Sequence, residues 1–233
     1  MKIVKKALQL YNQNLINVLI LSVVIVLPLY MLEFLIRVGA SQYFGIHNLE
    51  GVGSFVIIMT AITILILAQL PFISMSATSL VHEHVKVSDS IKVFFKYLLP
   101  VIGSTMLFIF ATVAGLFIFV LPGLFLLILT VLHPYVAIVH NKHGGGLLRA
   151  LLQWSRTSLV DVGIFVLMFM SLNVLLTAIL TFGTSLATEL SLATNIMQLF
   201  VNILILPLFV CVISVIYHNH IPESFETYEA ANF

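Results

Sequence analysis

Histidines are the residues of this chain best suited to chemistry, and most of them recur at similar places. Residues 70–84 read LPFISMSATSLVHEH and residues 206–220 read LPLFVCVISVIYHNH, so both segments begin with Leu-Pro and end with His-x-His. Neutral imidazole is a common ligand of zinc and other transition metals. The repeated pattern therefore raises three interpretations: a metal site, a pH-responsive surface, or the ordinary ends of two similar helices.

Helix geometry and electrostatics favour the last of these interpretations. Successive helical residues are about 100° apart, so the two histidines of each pair point about 200° apart and converge only at a frayed or extended helix end. A protonated His near a helix C-terminus gains up to about 1 kcal/mol, because the negative end of the helix dipole lies there. His140 and His143 end a third apolar segment in the same way. We therefore predict no metal and no cofactor.

The segments that carry these histidines are predicted to cross a membrane. The chain is 61% hydrophobic and only 8% charged, far below the roughly 25% charged residues of soluble domains, and its mean hydropathy is +1.17. A bilayer-spanning helix needs about 20 largely apolar residues. Six stretches meet this requirement: 15–36, 55–81, 99–120, 122–140, 162–187 and 195–217. Residues 1–233 are accordingly predicted to be a single polytopic membrane domain.

The positions of Lys and Arg predict the orientation. With the N-terminus inside, every one of the ten Lys and Arg residues except Arg37 falls on the cytoplasmic side, as expected for cytoplasmic loops. We therefore expect both termini in the cytoplasm and the protein in a bacterial plasma (inner) membrane. The first apolar run is longer than the core of a signal peptide, so we expect it to remain as an anchor.

Amphipathic segments precede the first, third and fifth predicted spans. In SDSIKVFFKYLLP, residues 88–100, apolar side chains recur at helical spacing while Lys92 and Lys96 lie on another face. Residues 144–161 follow the same pattern, with Trp154 suited to the headgroup region, and residues 2–14 form a weaker version. We expect each segment to lie at the inner membrane surface with its cations toward anionic lipid.

The predicted architecture is an all-α integral membrane protein with six transmembrane helices in three hairpins, each entered through a cytoplasmic amphipathic helix. The outer connections differ: about 18 residues around His47, a tight turn at Leu121-Pro122-Gly123, and a turn near residues 188–193. Pro-Gly is a strong turn signal. So short a second link predicts that the third and fourth spans are neighbours.

Polar side chains inside the predicted spans form the candidate site. Ionisable residues within a membrane are functional candidates, and His133, followed by Pro134, is the main one here. Neutral polar residues at similar depth complete a candidate intramembrane face of Gln69, His133, Asn173, Thr177, Thr181, Gln198 and Asn202. Two interpretations stay open: interhelical hydrogen bonds of roughly 0.6 kcal/mol each, or a polar crevice for a headgroup, a peptide or a small solute. Pro71, Pro134 and Pro207 are consistent with kinks that would open such a crevice.

The sequence does not predict catalysis. The three glycines at residues 144–146 lack the spaced Lys and Ser/Thr of a phosphate-binding loop. The predicted spans contain no acidic pair suited to acid–base catalysis and no nucleophile elbow. The one cysteine, Cys211, has no partner for an intramolecular disulfide. A net charge of +1 gives no indication of nucleic-acid binding.

One segment resembles a known family. Residues 120–163 read VLPGLFLLILTVLHPYVAIVHNKHGGGLLRALLQWSRTSLVDVG, a Leu-Pro-Gly turn, an apolar helix with a proline and an amphipathic stretch. This order is similar to that of the membrane domain of glycerophosphodiester phosphodiesterases and its small stand-alone bacterial relatives. The matching positions are Pro122, Gly123, Pro134, Gly146, Ala150 and Ser155. The resemblance implies six helices and no activity, since the soluble phosphodiesterase barrel is missing; relatives often carry an acidic residue where this chain has His140.

Together these features predict a non-catalytic multi-pass membrane protein that acts as an accessory or scaffold component through contacts with membrane lipids, with a membrane-protein partner or with a second copy. The alternative is a small permease, or an efflux or immunity-type component, that uses the polar intramembrane face.

Overall fold

The computed structural model describes residues 2–81, 85–142, 144–187 and 191–220. Within these ranges the side chains of residues 155–159, 170, 181, 184–187 and 191–198 are not described.

The described part of the chain is helical and contains no strand, which confirms the predicted all-α class. The described ranges contain nine α-helices: α1 (Lys2–Gln13), α2 (Leu15–Leu21), α3 (Leu27–Ile46), α4 (Glu50–Leu67), α5 (Leu70–Val81), α6 (Val87–Ile118), α7 (Val120–Val139), α8 (Gly145–Ala187) and α9 (Ser191–His220). A π-helical segment, Ser22–Val26, joins α2 to α3.

Six helical stretches are long and apolar enough to cross a membrane, as predicted. Within the described residues they are Leu15–Ile46, Glu50–Val81, Val87–Ile118, Val120–Val139, Val160–Leu180 and Leu199–His220. The first comprises α2, the π-helical segment and α3, and the second comprises α4 and α5.

Prolines coincide with irregular points in the first two spans. Pro28 follows the π-helical segment, and Pro71 follows the break between α4 and α5 at Ala68 and Gln69. Proline has no backbone N–H, so inside a helix it removes one hydrogen bond, whereas in the first turn the N–H would have no helical partner anyway. The break therefore places Pro71 where it does not cost a helical hydrogen bond.

The centre of the bundle is formed by parts of α5, α7 and α9. Side chains are buried almost continuously over residues 70–78, 128–139 and 206–217, and α5 packs against both α7 and α9. Such all-round burial requires that other helices surround these three, and α1, α6 and α8 pack against them. We call the end of the bundle at which α7 and α9 terminate, near His140 and His218, the histidine end.

The amphipathic segments are packed onto this core. In α1, Ala7 and Leu10 are buried, and the helix lies against α9. The Asn14 side-chain amide donates to the Ser79 hydroxyl at 2.9 Å and so links this region to α5. The Trp154 ring, predicted to suit the headgroup region, is 1% exposed and lies 4.5 Å from the Tyr217 ring, so it packs inside the bundle. Packing against α9 excludes lipid from it.

The connection between α6 and α7 is displaced from its predicted position. Phe119, with extended backbone, is the one residue between the two helices, whereas Pro122 and Gly123 lie in the first turn of α7. Proline is tolerated there because the first N–H groups of a helix have no helical partner. Gly123 serves close approach, since a Cβ at this position would lie 2.7 Å from the Cα of Leu116.

The connection between α3 and α4 is much shorter than expected. Helix α3 continues to Ile46 and α4 begins at Glu50, so the polar residues around His47 are largely helical. Asn48 adopts a left-handed conformation with φ 55°, which is common just after a helix end. The connection is therefore only three residues long, 47–49. The third predicted turn, near residues 188–193, lies partly outside the described residues.

Candidate functional site

His133 is completely buried between α6 and α7, with both ring nitrogens engaged. Its Nδ1 lies 2.6 Å from the carbonyl oxygen of Thr130 and its Nε2 lies 3.1 Å from the Thr105 hydroxyl. A carbonyl can only accept, so Nδ1 carries a proton, and in the neutral ring Nε2 then accepts from Thr105. The ring also stacks on Phe108 at a centroid distance of 5.2 Å. The buried His133 ring thus has a hydrogen-bond partner at each of its two nitrogens.

The carbonyl that His133 contacts is the one released by Pro134. In an α-helix the carbonyl of residue i accepts from the N–H of residue i+4. The donor for Thr130 would be residue 134, a proline inside α7 that has no N–H. The His133 side chain supplies the missing donor from within the same helix. In hydrocarbon an unpaired carbonyl costs several kcal/mol. The His133 side chain therefore stabilises α7 at the position where Pro134 leaves the Thr130 carbonyl without a backbone donor.

A second polar contact continues the same α6–α7 interface. The hydroxyls of Thr112 and Thr130 lie 3.0 Å apart, and both residues are buried. Each hydroxyl also lies 2.8 Å from a carbonyl oxygen of its own helix, Thr112 from that of Phe108 and Thr130 from that of Leu126. Since a hydroxyl has one proton, one threonine donates to its own carbonyl and the other donates across the interface. Sequence reasoning named His133 but missed Thr105, Thr112 and Thr130. The spacing of these residues could have indicated the contacts. Thr105 and Thr112 are seven residues apart, and Thr130 and His133 are three apart, so each pair lies on one face of its helix.

Gln69 lies at the break between α4 and α5. Its side-chain Nε2 donates to the Leu65 carbonyl at 3.2 Å, and its own backbone carbonyl accepts from Phe72 and Ile73 at the start of α5. The residue is 1% exposed. Its Oε1 atom has no hydrogen-bond partner among the described residues. The hydrogen bonds of Gln69 therefore stabilise the backbone at the break between α4 and α5.

The polar residues of α8 and α9 lie at matching depths. The Phe169 and Phe209 rings stack at 4.0 Å; Phe169 is 18 residues before Ala187, the end of α8, and Phe209 is 18 residues after Ser191, the start of α9. The same register places Asn202 level with residue 176, beside Thr177. Asn173, Thr177 and Asn202 are half-buried. We call these three residues the α8–α9 polar face.

The predicted intramembrane face is thus divided among separate environments. The Asn173 amide donates to the Phe169 carbonyl at 3.2 Å, and the Thr177 hydroxyl donates to the Asn173 carbonyl at 2.8 Å. His133 is bonded to α6 and α7 residues instead, and Gln69 to its own helix break. Thr181 and Gln198 belong to α8 and α9, but their side chains lie outside the described ones.

The histidine end contains an aromatic cluster rather than a described metal site. The Tyr217 ring lies 5.9 Å from the His140 ring, and the Tyr97 hydroxyl donates to Asn141 Oδ1 at 2.7 Å. Burial lowers the pKa of His140 below its usual 6.5, and the positive charge of Lys142 lowers it further. In the described ranges no group of three or more His, Cys, Asp or Glu could hold a metal ion. His82, His84 and His143 lie outside the described residues.

His220 makes the kind of contact expected near a helix end. Its Nδ1 donates to the Ile216 carbonyl at 2.9 Å, and its Nε2 lies 3.7 Å from an Asp161 carboxylate oxygen of α8. Histidine near a helix C-terminus commonly donates to the last carbonyls. This geometry favours the helix-end interpretation for the histidines that are described.

Cys211 lies in the core between α9 and α5. Its sulfur is 3.5 Å from the Ser76 hydroxyl, and the residue is fully buried. Nearby, the Tyr11 hydroxyl of α1 donates to the Leu204 carbonyl at 3.4 Å. Burial raises the pKa of Tyr11, and the proximity of Cys211 adds to that rise. A buried thiol of this kind behaves as a small apolar group in packing.

Comparison with known proteins gave no similarity: no family model, no curated protein and no solved structure matches this chain.

Proposed function

We propose that this chain is a non-catalytic multi-pass membrane protein that serves as an accessory or scaffold component through lipid and protein contacts. The observation that carries the proposal is the environment of His133. An imidazole placed for proton transfer or solute binding needs a free nitrogen facing a cavity or water. Both nitrogens of His133 are instead hydrogen-bonded to Thr130 and Thr105 in a completely buried position.

The distribution of cations supports lipid contact and the proposed orientation. Lys2, Lys5 and Lys6 of α1 are exposed, and so are Lys142 and Arg149 beyond the end of α7. Exposed Lys and Arg near a membrane gain about 1 kcal/mol each from anionic lipid. The histidine end therefore faces the cytoplasm of a bacterial cell in this proposal, with the six helices inserted as three hairpins and both termini inside.

Protein contact is supported by the fifth span. Only 18% of the most apolar window of this span is buried, the smallest share of the six spans, and Val174 is 70% exposed. In a membrane such a surface meets either lipid or another transmembrane helix. A membrane-protein partner or a second copy of this chain is the occupant that an accessory function requires.

Native mass spectrometry of protein extracted gently from its own membrane, with metal analysis of the same sample, tests the proposal. We expect a stoichiometric lipid or a bound protein, without metal. A bare, metal-free monomer would contradict the proposal. Stoichiometric zinc that disappears in the His218→Ala, His220→Ala variant would instead show a metal site and refute the helix-end interpretation.

Transport is the second candidate function, and the half-buried α8–α9 polar face favours it. Within the described residues the Asn202 side chain makes no hydrogen bond, so it could bind a solute or a headgroup. If the protein transports a solute, Asn173→Leu and Asn202→Leu variants reconstituted in liposomes lose flux while remaining folded. If it is an accessory component, the same variants lose only stability or assembly. The paired comparison separates the two functions.

A relationship to the membrane domain of glycerophosphodiester phosphodiesterases is also a proposal. It rests on residues 120–163 alone, and two of its six matched positions, Gly123 and Pro134, have structural roles in this chain. Pro134 releases the carbonyl that His133 binds, and Gly123 allows close approach of Leu116. This relationship implies no hydrolytic activity for this chain.

A further inference from the structure

The connection between α6 and α7 has no polar side chain over an unusually long distance. Residues 113–129 read VAGLFIFVLPGLFLLIL, so the sequence is apolar from Thr112 to Thr130. The α3–α4 connection, by contrast, contains His47, Asn48 and Glu50. The two connections that the structure describes at this end of the bundle thus differ in the surroundings they require.

The residues of the α6–α7 connection are also among the most exposed apolar residues of the protein. We call residues 116–121 the apolar tip. Its exposed side chains include Phe117 at 87%, Ile118 at 70%, Phe119 at 69%, Val120 at 64% and Leu121 at 81%. Exposing this area to water would cost free energy in proportion to the area, about 25 cal/mol per Å². The side chains of the tip therefore require an apolar environment.

The length of α7 places the tip near the edge of the hydrocarbon. Helix α7 has 20 residues, Val120–Val139, and at 1.5 Å per residue it is about 30 Å long, which matches the hydrocarbon thickness of a bilayer. The helix is followed by three polar residues, His140, Asn141 and Lys142. With these polar residues at one membrane surface, the tip reaches only to the opposite boundary of the hydrocarbon.

The backbone of the tip limits how deeply the tip can enter the hydrocarbon. The Phe119 N–H donates to the Gly115 carbonyl at 2.9 Å, and the Gly123 N–H donates to the Phe119 carbonyl at 3.2 Å. The carbonyls of residues 116–118 and the N–H groups of Val120 and Leu121 have no partner within their own helices, because they belong to helix ends. Such groups are not tolerated in dry hydrocarbon, but lipid headgroups and interfacial water can bind them.

We propose that the apolar tip is a lipid-binding surface that stays within the outer leaflet, with its phenylalanine side chains among the acyl chains and its backbone at headgroup level. The opposing requirements of side chains and backbone fix this depth. The α3–α4 connection extends into water on the same side. The occupant of the tip is phospholipid, not a partner protein.

Spin labelling in phosphatidylcholine nanodiscs tests this depth. In a Cys211→Ala background, a nitroxide is attached to Phe119→Cys, and its collisions with oxygen and with a water-soluble nickel chelate are measured. Oxygen concentrates in hydrocarbon and the chelate stays in water. Leu107→Cys, at a 74% exposed position within the third span, is the lipid control. His47→Cys, at an exposed polar position between the first two spans, is the water control.

We expect the oxygen-to-nickel ratio at Phe119→Cys to approach that of Leu107→Cys and to exceed that of His47→Cys several-fold. A ratio like that of His47→Cys would overturn the inference, because the tip would then lie in water. Low collision rates with both reagents would also overturn it, because protein would then cover the tip. A Leu121→Cys label repeats the test if Phe119→Cys fails to fold, as judged by Trp154 fluorescence.

The inference rests on the proposed membrane insertion. The lipid control, Leu107→Cys, distinguishes a failure of membrane insertion from a failure of the inferred depth of the tip. If the Leu107→Cys label collides mainly with the nickel chelate, membrane insertion itself is refuted. If Leu107→Cys behaves as lipid-exposed and Phe119→Cys does not, only the depth of the tip is refuted.

Discussion

The interaction between His133 and the Thr130 carbonyl gives a quantitative prediction. In the His133→Leu variant this carbonyl loses its donor, and Pro134 cannot supply another. Leaving a buried carbonyl unsatisfied costs about 1–3 kcal/mol. The Thr105 hydroxyl loses only an acceptor, and an interhelical hydrogen bond of this kind contributes roughly 0.6 kcal/mol. We therefore expect His133→Leu to lower the free energy of unfolding by about 2–4 kcal/mol, from the sum of these contributions.

The cost of His133→Leu should depend on Pro134. In the Pro134→Ala variant, residue 134 regains an N–H that can donate to the Thr130 carbonyl. Adding His133→Leu to this background should then cost only about 1 kcal/mol or less, since the carbonyl stays satisfied. The difference between the two backgrounds is a coupling energy of about 1–3 kcal/mol, the cost of the unsatisfied carbonyl, within the range for residues that share a partner.

Equilibrium unfolding in mixed micelles of a mild detergent and dodecyl sulfate measures this cycle. The fluorescence of Trp154, the one tryptophan of the chain, reports the transition because its ring packs against Tyr217 in the folded core. Thr105→Val serves as the matched control, since it removes the other hydrogen bond of His133 and should cost the same in both backgrounds. Equal costs of His133→Leu with and without Pro134 would refute the reasoning.

Three further predictions concern other parts of the molecule. Gly123→Ala should destabilise the protein by about 1–3 kcal/mol through overpacking. Gly103→Ala is the control and should not destabilise it, because its new methyl group would meet nothing within 4 Å. Thermal unfolding of the two variants tests this difference. Because the pKa of folded His140 lies below 6.5, the unfolded state binds more protons, so stability should be full above pH 6.5 and fall as pH decreases toward the folded pKa. His140→Gln should remove this contribution to the pH dependence, and Lys142→Ala should weaken it, as denaturation at a series of pH values would show; an unchanged profile would contradict the assignment. Under the accessory proposal, Asn202→Leu should lower stability or assembly only, and loss of solute flux in liposomes by a variant that still folds would count against that proposal.

The helical class and the six spans could be predicted from the sequence because each depends on local composition. About 20 apolar residues specify a spanning helix whatever they pack against. The centre of the bundle could not be predicted in the same way. Helices α5, α7 and α9 are as apolar as their neighbours, so their all-round burial follows from packing between distant segments.

The environment of His133 depended on a pairing that sequence periodicity does not show. The relation between Pro134 and Thr130 follows from helix geometry and could have been deduced, since proline always releases the carbonyl four residues before it. The contact with Thr105 required the register between α6 and α7. That register is fixed by the one-residue connection at Phe119, which the Pro-Gly signal at residues 122–123 misplaced by about one turn.

The protonation state of His133 tests most directly whether the buried polar groups serve structure or a solute path. Nitrogen-15 solid-state NMR of the protein in bilayers distinguishes the two neutral tautomers from the imidazolium. We predict a neutral ring with the proton on Nδ1, unchanged when the pH of the medium is varied between about 5 and 8, the range in which an accessible histidine titrates. An imidazolium, or a proton on Nε2 that responds to the medium, would contradict it, because water or a solute would then reach the site.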